Sequence, residues 1–328
     1  MYANMEHGEW LNVRKSGIGG SDVAAILGLS PWKSPLDVYL DKTGKAAPQE
    51  ETDAMYWGTR LEDLIAKKYC EVKDRDVRKV NSILRSEKYP CLIGNIDRAV
   101  CAEKGKLPVV KGEFRTPKIL ECKTARTKNE DWGQGGTDQI PDYYLTQVLH
   151  YLGLTGCESC DVAVLFMDSR KFDVYTVKAD QEIIQRMFER LADWWENHVV
   201  KNVPPAPRSI ADVEKLFKRS AEVEITATDE IEHAINEYAK FKKMEAEVSE
   251  NLSSLKERIA VYMGEADTLV GLDGKKLATF KTARDRSKTD WEAVARAAGA
   301  TDANILANTK SLQGKSRRLF SRNFRGMC

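Results

Sequence analysis

The sequence predicts an α/β protein with an accessory region towards its C-terminal end. In roughly the first two hundred residues, segments with apolar residues at helical spacing, such as "MYWGTRLEDLIAKKYCEV", alternate with strand-like segments such as "KILECKTA" and "CDVAVLFMD". After the stretch "NVPPAPRSI" a single long apolar periodicity and one hairpin signal replace this alternation. The two patterns indicate a mixed core followed by a region of different construction.

Capping signals mark the first helices. The segment "SDVAAILG" follows the glycine-rich turn "SGIGG", with Ser21 or Asp22 as its predicted N-cap and Gly28 as its end. The segment "SPLDVYLDKTG" predicts a second short helix, with Ser34 as cap and Pro35 at the first helical position. A third, amphipathic helix is predicted within "MYWGTRLEDLIAKKYCEV".

Strand signals dominate the middle of the chain. The segment "SILRSEKYPCLIGNIDRAV" predicts two strands joined by a turn, and "KILECKTA" predicts another strand. The segment "DYYLTQVLHYLGLTG" is helical and ends at glycine, whereas "CDVAVLFMD" and "KFDVYTV" predict a hairpin. A long amphipathic helix, "DQEIIQRMFERLADWWENHV", completes a predicted core domain over residues 1–203.

Proline residues predict a domain boundary after this helix. Pro204, Pro205 and Pro207 cannot continue a helix, so we expect a linker over residues 204–228 and an accessory region over 229–328.

The accessory region begins with a long helical pattern. Apolar residues recur every three or four positions from Ile231 to Tyr262, which predicts one long helix with an apolar seam. The seam packs within its own domain or, as the rarer alternative, forms a coiled coil with another chain. A hairpin signal at Asp273 and Gly274 and a basic end, "KSRRLFSRNF", follow.

Composition narrows the classes of function. A hydrophobic fraction of 42% and a charged fraction of 31% are ordinary for a globular protein, and the net charge is +1. No apolar run reaches the length of a membrane span, the start of the chain lacks a secretory pattern, and the seven cysteines are scattered. We therefore expect a soluble cytoplasmic protein without a membrane partner. The basic end is a solvated face or a surface that meets a polyanion.

Several common catalytic and metal sites have no sequence signal. No Walker A loop is present, and "GIGG" does not follow a strand as a dinucleotide-binding loop does. Cys157 and Cys160 form a single C-x-x-C without a matching second pair, so a metal role is disfavoured. The four histidines lie far apart without ligand spacing and are expected on the surface or in packing: His7, His150, His198 and His233.

The segment "ILECKTA" carries charge where a strand is expected. Residues i and i+2 of a strand share a face, so Glu121 and Lys123 point one way and Leu120 and Cys122 the other. One interpretation is an exposed ion pair on an edge strand. The other is a metal ligand beside a catalytic cation, and other carboxylates decide between the two.

Asp97 lies in the apolar run "LIGNIDRAV", where a charge requires a reason. If Asp97 and Glu121 meet on nearby strands they repel each other, and Mg²⁺ resolves that repulsion. Lys123 then positions or deprotonates a water molecule and offsets charge on a phosphate. Glu62, on the third predicted helix, is a candidate third carboxylate.

A helix follows the acidic strand. Gln147 and Tyr151 are separated by four positions on the predicted helix and so share a face. An acid, a strand with acid-x-Lys and a helix with Gln therefore occur in that order. The ordered set is much more specific than any one of its parts.

Five segments in this order resemble the phage YqaJ-like recombination exonucleases, relatives of lambda exonuclease within the PD-(D/E)XK nuclease superfamily. They are "GIGGSDVAAILGLSPWKSPLDVYLDKTG", "MYWGTRLEDLI", "GNIDRAV", "ILECKTA" and "YYLTQVLHYLGLTG". The resemblance implies a restriction-endonuclease-like core, with a mixed β-sheet flanked by helices. It also implies Mg²⁺-dependent digestion of double-stranded DNA from the 5′ end, a ring-shaped homo-oligomer that is trimeric in lambda exonuclease, and a single-strand annealing protein as partner.

The resemblance also assigns roles to residues of the predicted site. Asp97, Glu121 and the backbone carbonyl of Cys122 resemble Mg²⁺ ligands, and Glu62 resembles the carboxylate that serves a second metal ion. Lys123 matches the catalytic lysine.

Further matches concern the substrate and the orientation of the site. Gln147 matches the glutamine that orients the site, and Tyr144, one helical turn before it, and Tyr151, one turn after it, are candidate substrate contacts. Arg14 and Ser21 match an Arg and a Ser that hold the 5′-phosphate. Asn95 stands where lambda exonuclease has a serine, and the loop after Asp97 is long for the family.

The resulting hypothesis is a Mg²⁺-dependent 5′-to-3′ exonuclease that digests linear duplex DNA and leaves 3′ single strands for recombination. Two Mg²⁺ ions, with Mn²⁺ as a substitute, are expected to clamp the scissile phosphate and activate water. Two alternatives stay open. One is an endonuclease of the same superfamily, and the other is a non-catalytic DNA-binding or assembly protein that acts through its C-terminal helix and basic end.

Overall fold

The chain divides into two compact units, Met1–Lys215 and Leu216–Cys328, and each is described by itself. The structure is a computed structural model that describes residues 2–3, 13–46, 51–110, 112–219, 223–282 and 290–308. The division falls inside the stretch 204–228 that the prolines mark as a linker. Part of that stretch is helical and belongs to the first unit.

The first unit alternates helices and strands. Its helices are α1 (Gly20–Leu27), α2 (Pro35–Lys42), α3 (Asp53–Lys73), α4 (Asp142–Thr155), α5 (Gln181–Trp194), which continues as a π-helix (Trp195–Val200), and α6 (Ile210–Leu216). Its strands are β1 (Tyr2–Ala3), β2 (Val77–Lys79), β3 (Ser82–Arg85), β4 (Ile93–Asn95), β5 (Arg98–Val100), β6 (Val109–Val110), β7 (Glu113–Phe114), β8 (Lys118–Ala125), β9 (Ser159–Phe166) and β10 (Lys171–Lys178).

A five-stranded sheet in the order β10-β9-β8-β5-β2 forms the centre of this unit. The pair β8–β9 is parallel and the other neighbours are antiparallel, so the sheet is mixed. A parallel pair needs a crossover connection, and α4 provides it between β8 and β9. The predicted mixed sheet with flanking helices is therefore confirmed, as is the hairpin of β9 and β10.

Apolar residues cover both faces of the sheet. Ile119, Val162 and Val164 face one cluster, which includes Leu152 of α4 and Phe188 of α5. The intervening strand residues Leu120 and Ala163 face the other cluster, where they pack with Ile65 and Tyr69 of α3. This period-two alternation follows from the geometry of a strand. Each fully buried aliphatic or aromatic side chain stabilises the fold by about 1.5–3 kcal/mol.

The caps of the first two helices differ in how well local sequence predicts them. The predicted cap of α2 is confirmed, because the Asp37 backbone N–H donates to Ser34 Oγ at 3.2 Å and Pro35 occupies the first helical position. The predicted cap of α1 is wrong, since its N-cap is Gly19. Asp22 instead lies in the first turn and accepts a hydrogen bond from the Gly19 N–H at 3.1 Å.

A buried ion pair joins α1 to α2. Lys42 Nζ lies 2.7 Å from one carboxylate oxygen of Asp22, Lys33 Nζ lies 2.8 Å from the other, and the Asp22 and Lys42 side chains are almost fully buried. Burial alone would raise the pKa of Asp22, but Lys33 and Lys42 outweigh it and hold that pKa well below its usual range. Lys42 also donates to the backbone carbonyl of Arg14 at 3.0 Å, which fixes the segment before α1.

The second unit contains α7 (Asp229–Met263), β11 (Thr268–Val270), β12 (Lys276–Thr279), α8 (Trp291–Ala297) and α9 (Asp302–Ala307). The predicted long helix is confirmed, as is the hairpin, in which β11 and β12 pair antiparallel. Gly274 in the connecting turn has a φ of 77°, a backbone conformation that favours glycine. The predicted basic end "KSRRLFSRNF" lies outside the described residues.

No helix in the described part of the chain has both the length and the apolarity needed to cross a membrane.

The Asp22–Lys42 pair gives a stability prediction. Asp22→Asn leaves the buried Lys42 without its nearest anionic partner, with only the more distant Asp41 carboxylate at 3.8 Å, and breaking such a buried pair costs about 3–5 kcal/mol. The double variant Asp22→Asn/Lys42→Met should recover part of this loss, because it removes the unpaired charge. Urea unfolding at pH 7 measures the free energy of unfolding of wild type, of Asp22→Asn, of Lys42→Met and of the double variant. A double variant that loses the sum of the two single losses contradicts the prediction.

The same pair predicts acid sensitivity. The folded-state pKa of Asp22 is lowered, so its stabilising effect is present above the unfolded value of about 3.9 and is lost as the pH falls below it. The difference in unfolding free energy between wild type and Asp22→Asn should therefore shrink below about pH 4. Arg186→Met, which removes an exposed helical ion pair with Glu182, is the control and should cost less than about 1 kcal/mol.

Candidate active site

The candidate site lies where β5 and β8 stop pairing. Their antiparallel register pairs Arg98 with Leu120, and one step further along the same register brings Asp97 towards Glu121. Asp97 Oδ2 accepts a hydrogen bond from the Cys122 backbone N–H at 2.9 Å. The last residue before β5 is thereby fixed against the middle of β8.

Glu121 and Lys123 lie on the same face of β8, as the strand period predicts. Lys123 Nζ lies 2.7 Å from Glu121 Oε1. The alternative of an exposed pair on an edge strand is wrong, because β8 is the central strand of five and Glu121 is only 3% exposed. Cys122, between them, packs against the opposite apolar cluster.

Gln147 of α4 completes a hydrogen-bond network with this pair. Its amide nitrogen donates to Glu121 Oε1 at 2.9 Å and to the Tyr151 hydroxyl at 3.0 Å. Its amide oxygen accepts a hydrogen bond from Lys123 Nζ at 3.0 Å. The four-residue spacing of Gln147 and Tyr151 on α4 aims both side chains at β8.

Burial and like charge make this an electrostatically unusual place. Burial raises the pKa of Asp97 well above its usual range, and the neighbouring Glu121 carboxylate raises it further. Burial alone would lower the pKa of Lys123, but Glu121 and Asp97 outweigh it and the pKa is raised. Two carboxylates thus share one lysine, and a second cation would relieve the repulsion that remains.

The donor set fits a hard divalent cation. Glu121 Oε2 is buried and, within the described residues, has no hydrogen-bond partner, so one carboxylate oxygen is available to a ligand. Carboxylate oxygens are the donors that Mg²⁺ and Mn²⁺ prefer. Mg²⁺ keeps several water molecules and often takes only one or two carboxylates, so Asp97 and Glu121 are sufficient protein anchors.

Glu62 is held by a cation of the protein. Its Oε1 lies 2.5 Å from Nη1 of Arg98, a buried residue that also pairs with Asp63. In the described part of the chain no three His, Cys, Asp or Glu side chains are arranged to hold one metal ion. Glu62 is therefore near the site but engaged by Arg98. Arg98 itself was not predicted from the sequence, and its position directly after Asp97 was the available signal.

Besides Tyr151, which is bonded to Gln147, the predicted substrate-binding residues divide into three groups. Tyr144 lies beside the site, with its ring centroid 5.2 Å from Lys123 Nζ. Arg14 and Ser21 are brought together before and within α1, where Arg14 Nη2 donates to Ser21 Oγ at 3.0 Å. Asn95 is exposed at the end of β4, where it lies opposite Ile83 of β3 in a separate three-stranded sheet of β1, β3 and β4.

A close packing contact connects the start of α1 to the carboxylate network. A Cβ atom added to Gly20 would lie 2.5 Å from the Tyr151 ring, so only glycine allows this approach. Tyr151 in turn accepts a hydrogen bond from Gln147. The Arg14–Ser21 pair and the Glu121–Lys123 pair are therefore positioned by one continuous set of contacts.

Comparison with known proteins identifies the family. Residues 9–158 match the model of the YqaJ-like viral recombinase domain. The uncharacterized protein YqaJ of Bacillus subtilis (strain 168) is 34% identical over 288 residues, which covers 85% of this chain and 84% of that protein. This chain belongs to the YqaJ-like viral recombinase family. The resemblance seen in the sequence motifs is thus confirmed, and all the candidate site residues lie within the matched YqaJ-like segment.

More distant similarities extend beyond this YqaJ relative. The uncharacterized protein R354 of Acanthamoeba polyphaga mimivirus is 24% identical over 157 residues, 47% of this chain and 27% of that protein. An alkaline exonuclease from Laribacter hongkongensis superposes with a TM-score of 0.45 at 16% identity, covering 60% of this chain and 94% of its own. A phage-related exonuclease from Haemophilus somnus gives 0.41 at 11% identity, covering 59% and 99%.

Proposed function

We propose that this protein is a metal-dependent nuclease that hydrolyses DNA at the site formed by Asp97, Glu121 and Lys123. The observation that carries the proposal is a buried acid-x-Lys pair on a central strand, tied to a glutamine and facing a second carboxylate. If these charges had only a structural role, apolar residues here would make the fold more stable, because buried charges cost free energy unless they are fully paired.

Each residue has a role that follows from its chemistry. Asp97 and the free Oε2 of Glu121 would hold Mg²⁺ or Mn²⁺, with the Cys122 carbonyl as a further donor. When bound, the cation polarises the phosphate and makes a water molecule more acidic. The Lys123 ammonium donates hydrogen bonds to the water or to the phosphate, and Gln147 keeps Lys123 and Glu121 in place.

The proposed mode of action is 5′-to-3′ digestion of linear duplex DNA. Arg14 offers a planar set of donors that binds phosphate bidentately, and Ser21 and the first amides of α1 add donors at the same place. The contact between Gly20 and Tyr151 connects this pocket to the carboxylates. A terminal 5′-phosphate bound there would present the next phosphodiester to the metal site.

Membership of the YqaJ-like viral recombinase family connects this proposed activity with recombination. We propose that the products are 3′ single strands that a single-strand annealing protein takes up, and that the protein acts as a ring-shaped homo-oligomer on double-stranded DNA ends. The annealing protein and the homo-oligomer are both proposed from the resemblance to the phage recombination exonucleases.

Metal binding should be measurable without any substrate. At about a hundred times its dissociation constant Mg²⁺ stabilises the first unit by about 2.7 kcal/mol, which corresponds to a rise in melting temperature of about 5–10 °C. Asp97→Asn should abolish this rise but not lower the metal-free melting temperature, since a neutral amide relieves the repulsion with Glu121. Differential scanning calorimetry with and without Mg²⁺ measures both values.

The matched control for the calorimetry is Glu182→Gln, an exposed carboxylate on α5, which should keep the full Mg²⁺-dependent rise. An equal rise in Asp97→Asn would place the metal elsewhere.

Cleavage assays test the catalytic roles. Asp97→Ala and Glu121→Ala should abolish Mg²⁺-dependent cleavage, whereas Lys123→Ala should lose cleavage and keep Mg²⁺ binding, because an ammonium is not a ligand. Linear and closed circular duplexes are incubated with wild type and variants. Cleavage of linear DNA alone supports an exonuclease, cleavage of both indicates an endonuclease, and cleavage of neither indicates a binding or assembly protein.

Arg14 tests the direction of digestion. Wild type should digest 5′-phosphorylated ends faster than 5′-hydroxyl ends, and Arg14→Ala should lose most of that preference. A charge-assisted contact contributes about 1.5–3 kcal/mol, so the preference should shrink roughly ten- to a hundredfold. Lys15→Ala removes an exposed neighbouring cation and should keep the preference. Equal digestion of both ends by wild type would refute the phosphate pocket.

A further inference from the structure

Helix α7 carries a heptad pattern along its whole length. Its 35 residues correspond to about 52 Å of helix at about 1.5 Å per residue. Nine of the ten seam positions are apolar, and Glu245 is the exception. The first seam position of each heptad, a, holds Ile231, Tyr238, Glu245, Leu252 and Ile259. The second, d, holds Ala234, Phe241, Val248, Leu255 and Tyr262.

Most of this seam is open to solvent. Among the described residues of α7, Met263 at the C-terminal end is the buried one. Six large aliphatic or aromatic seam side chains are between 45% and 58% exposed: Ile231, Phe241, Val248, Leu252, Leu255 and Ile259. Singly exposed apolar residues are ordinary on a protein surface, but a continuous stripe of this length marks an interaction surface.

The charges beside the seam favour a second copy of the same helix in parallel orientation. In a parallel coiled coil the residue before each a position faces, on the partner helix, the residue five positions later. Glu237 then faces Lys242 of the other copy, which is an attractive pair. The remaining facing pairs have no like charges, since they join Glu230 with Ile235, Met244 with Ser249, Asn251 with Lys256, and Arg258 with Met263.

Glu245 limits the strength of such a pair. It occupies an a position and forms an ion pair with Lys242 of its own helix. One polar residue at a seam position costs stability and fixes the register of the two helices. The seam therefore suits an association that is specific but not maximally tight.

We propose that α7 pairs with α7 of a second copy of this chain in a parallel coiled coil. This contact is independent of the nuclease site, because every residue that carries it belongs to the second unit.

The test compares full-length variants by sedimentation velocity across a range of concentrations. Val248→Glu/Leu255→Glu places two charges in the seam and should lower the mass relative to wild type. Ala246→Glu/Ser253→Glu places the same charges at the same spacing on exposed positions outside the seam and should keep the wild-type mass. A monomeric wild type would overturn the proposal. An unchanged mass in the seam variant would also overturn it and would assign the oligomer to other surfaces.

Two further variants give results that misfolding cannot imitate. Glu245→Leu completes the apolar seam and should shift association to at least tenfold lower concentration. Glu237→Lys and Lys242→Glu should each weaken association, and the double exchange should restore it, because the two residues face each other between parallel helices. Failure of the double exchange to restore association, or no gain in Glu245→Leu, would contradict the parallel pairing.

Discussion

The first unit depends on a carboxylate held inside its central sheet. Glu121 is 3% exposed on the middle strand of five, where an unpaired charge would cost several kcal/mol. The ion pair with Lys123 and the hydrogen bond from Gln147 offset that cost. This solution requires β8 to be central and α4 to cross directly over it. The buried charges therefore constrain the topology in addition to the apolar core.

Those constraints extend to the N-terminal segment. Tyr151 occupies the face of α4 next to Gln147, and α1 can approach only because Gly20 has no side chain. The buried Asp22–Lys42 pair then fixes α1 to α2, and Lys42 also binds the backbone of Arg14. A cationic side chain before a helix is ordinarily mobile on a surface. Here its backbone is anchored, which would lower the entropy lost on binding of a phosphate in the proposed pocket.

Sequence patterns predicted the features that depend on residues close together in the chain. The period of two placed Glu121 and Lys123 on one face, and the Ser34–Pro35 signal gave the correct helix start. Long-range choices of partner were not predictable in this way. Asp22 has the chemistry of an N-cap but bonds to lysines distant in sequence, and Glu62 pairs with Arg98. A carboxylate has several possible cations in such a chain, and only the fold selects among them.

Helix α7 shows most clearly the difference between what a local sequence pattern predicts and what it leaves open. Its periodicity specifies a helix, because apolar residues at that spacing form one stripe. It does not specify what covers the stripe. In the first unit α4 and α5 cover each other, with Phe188 against Gly153, and most helical stability in proteins comes from such packing. Over most of the length of α7 the described residues of the second unit provide no equivalent cover. The matching of Glu237 with Lys242 supplies the missing information, since charge beside an apolar stripe selects both partner and direction.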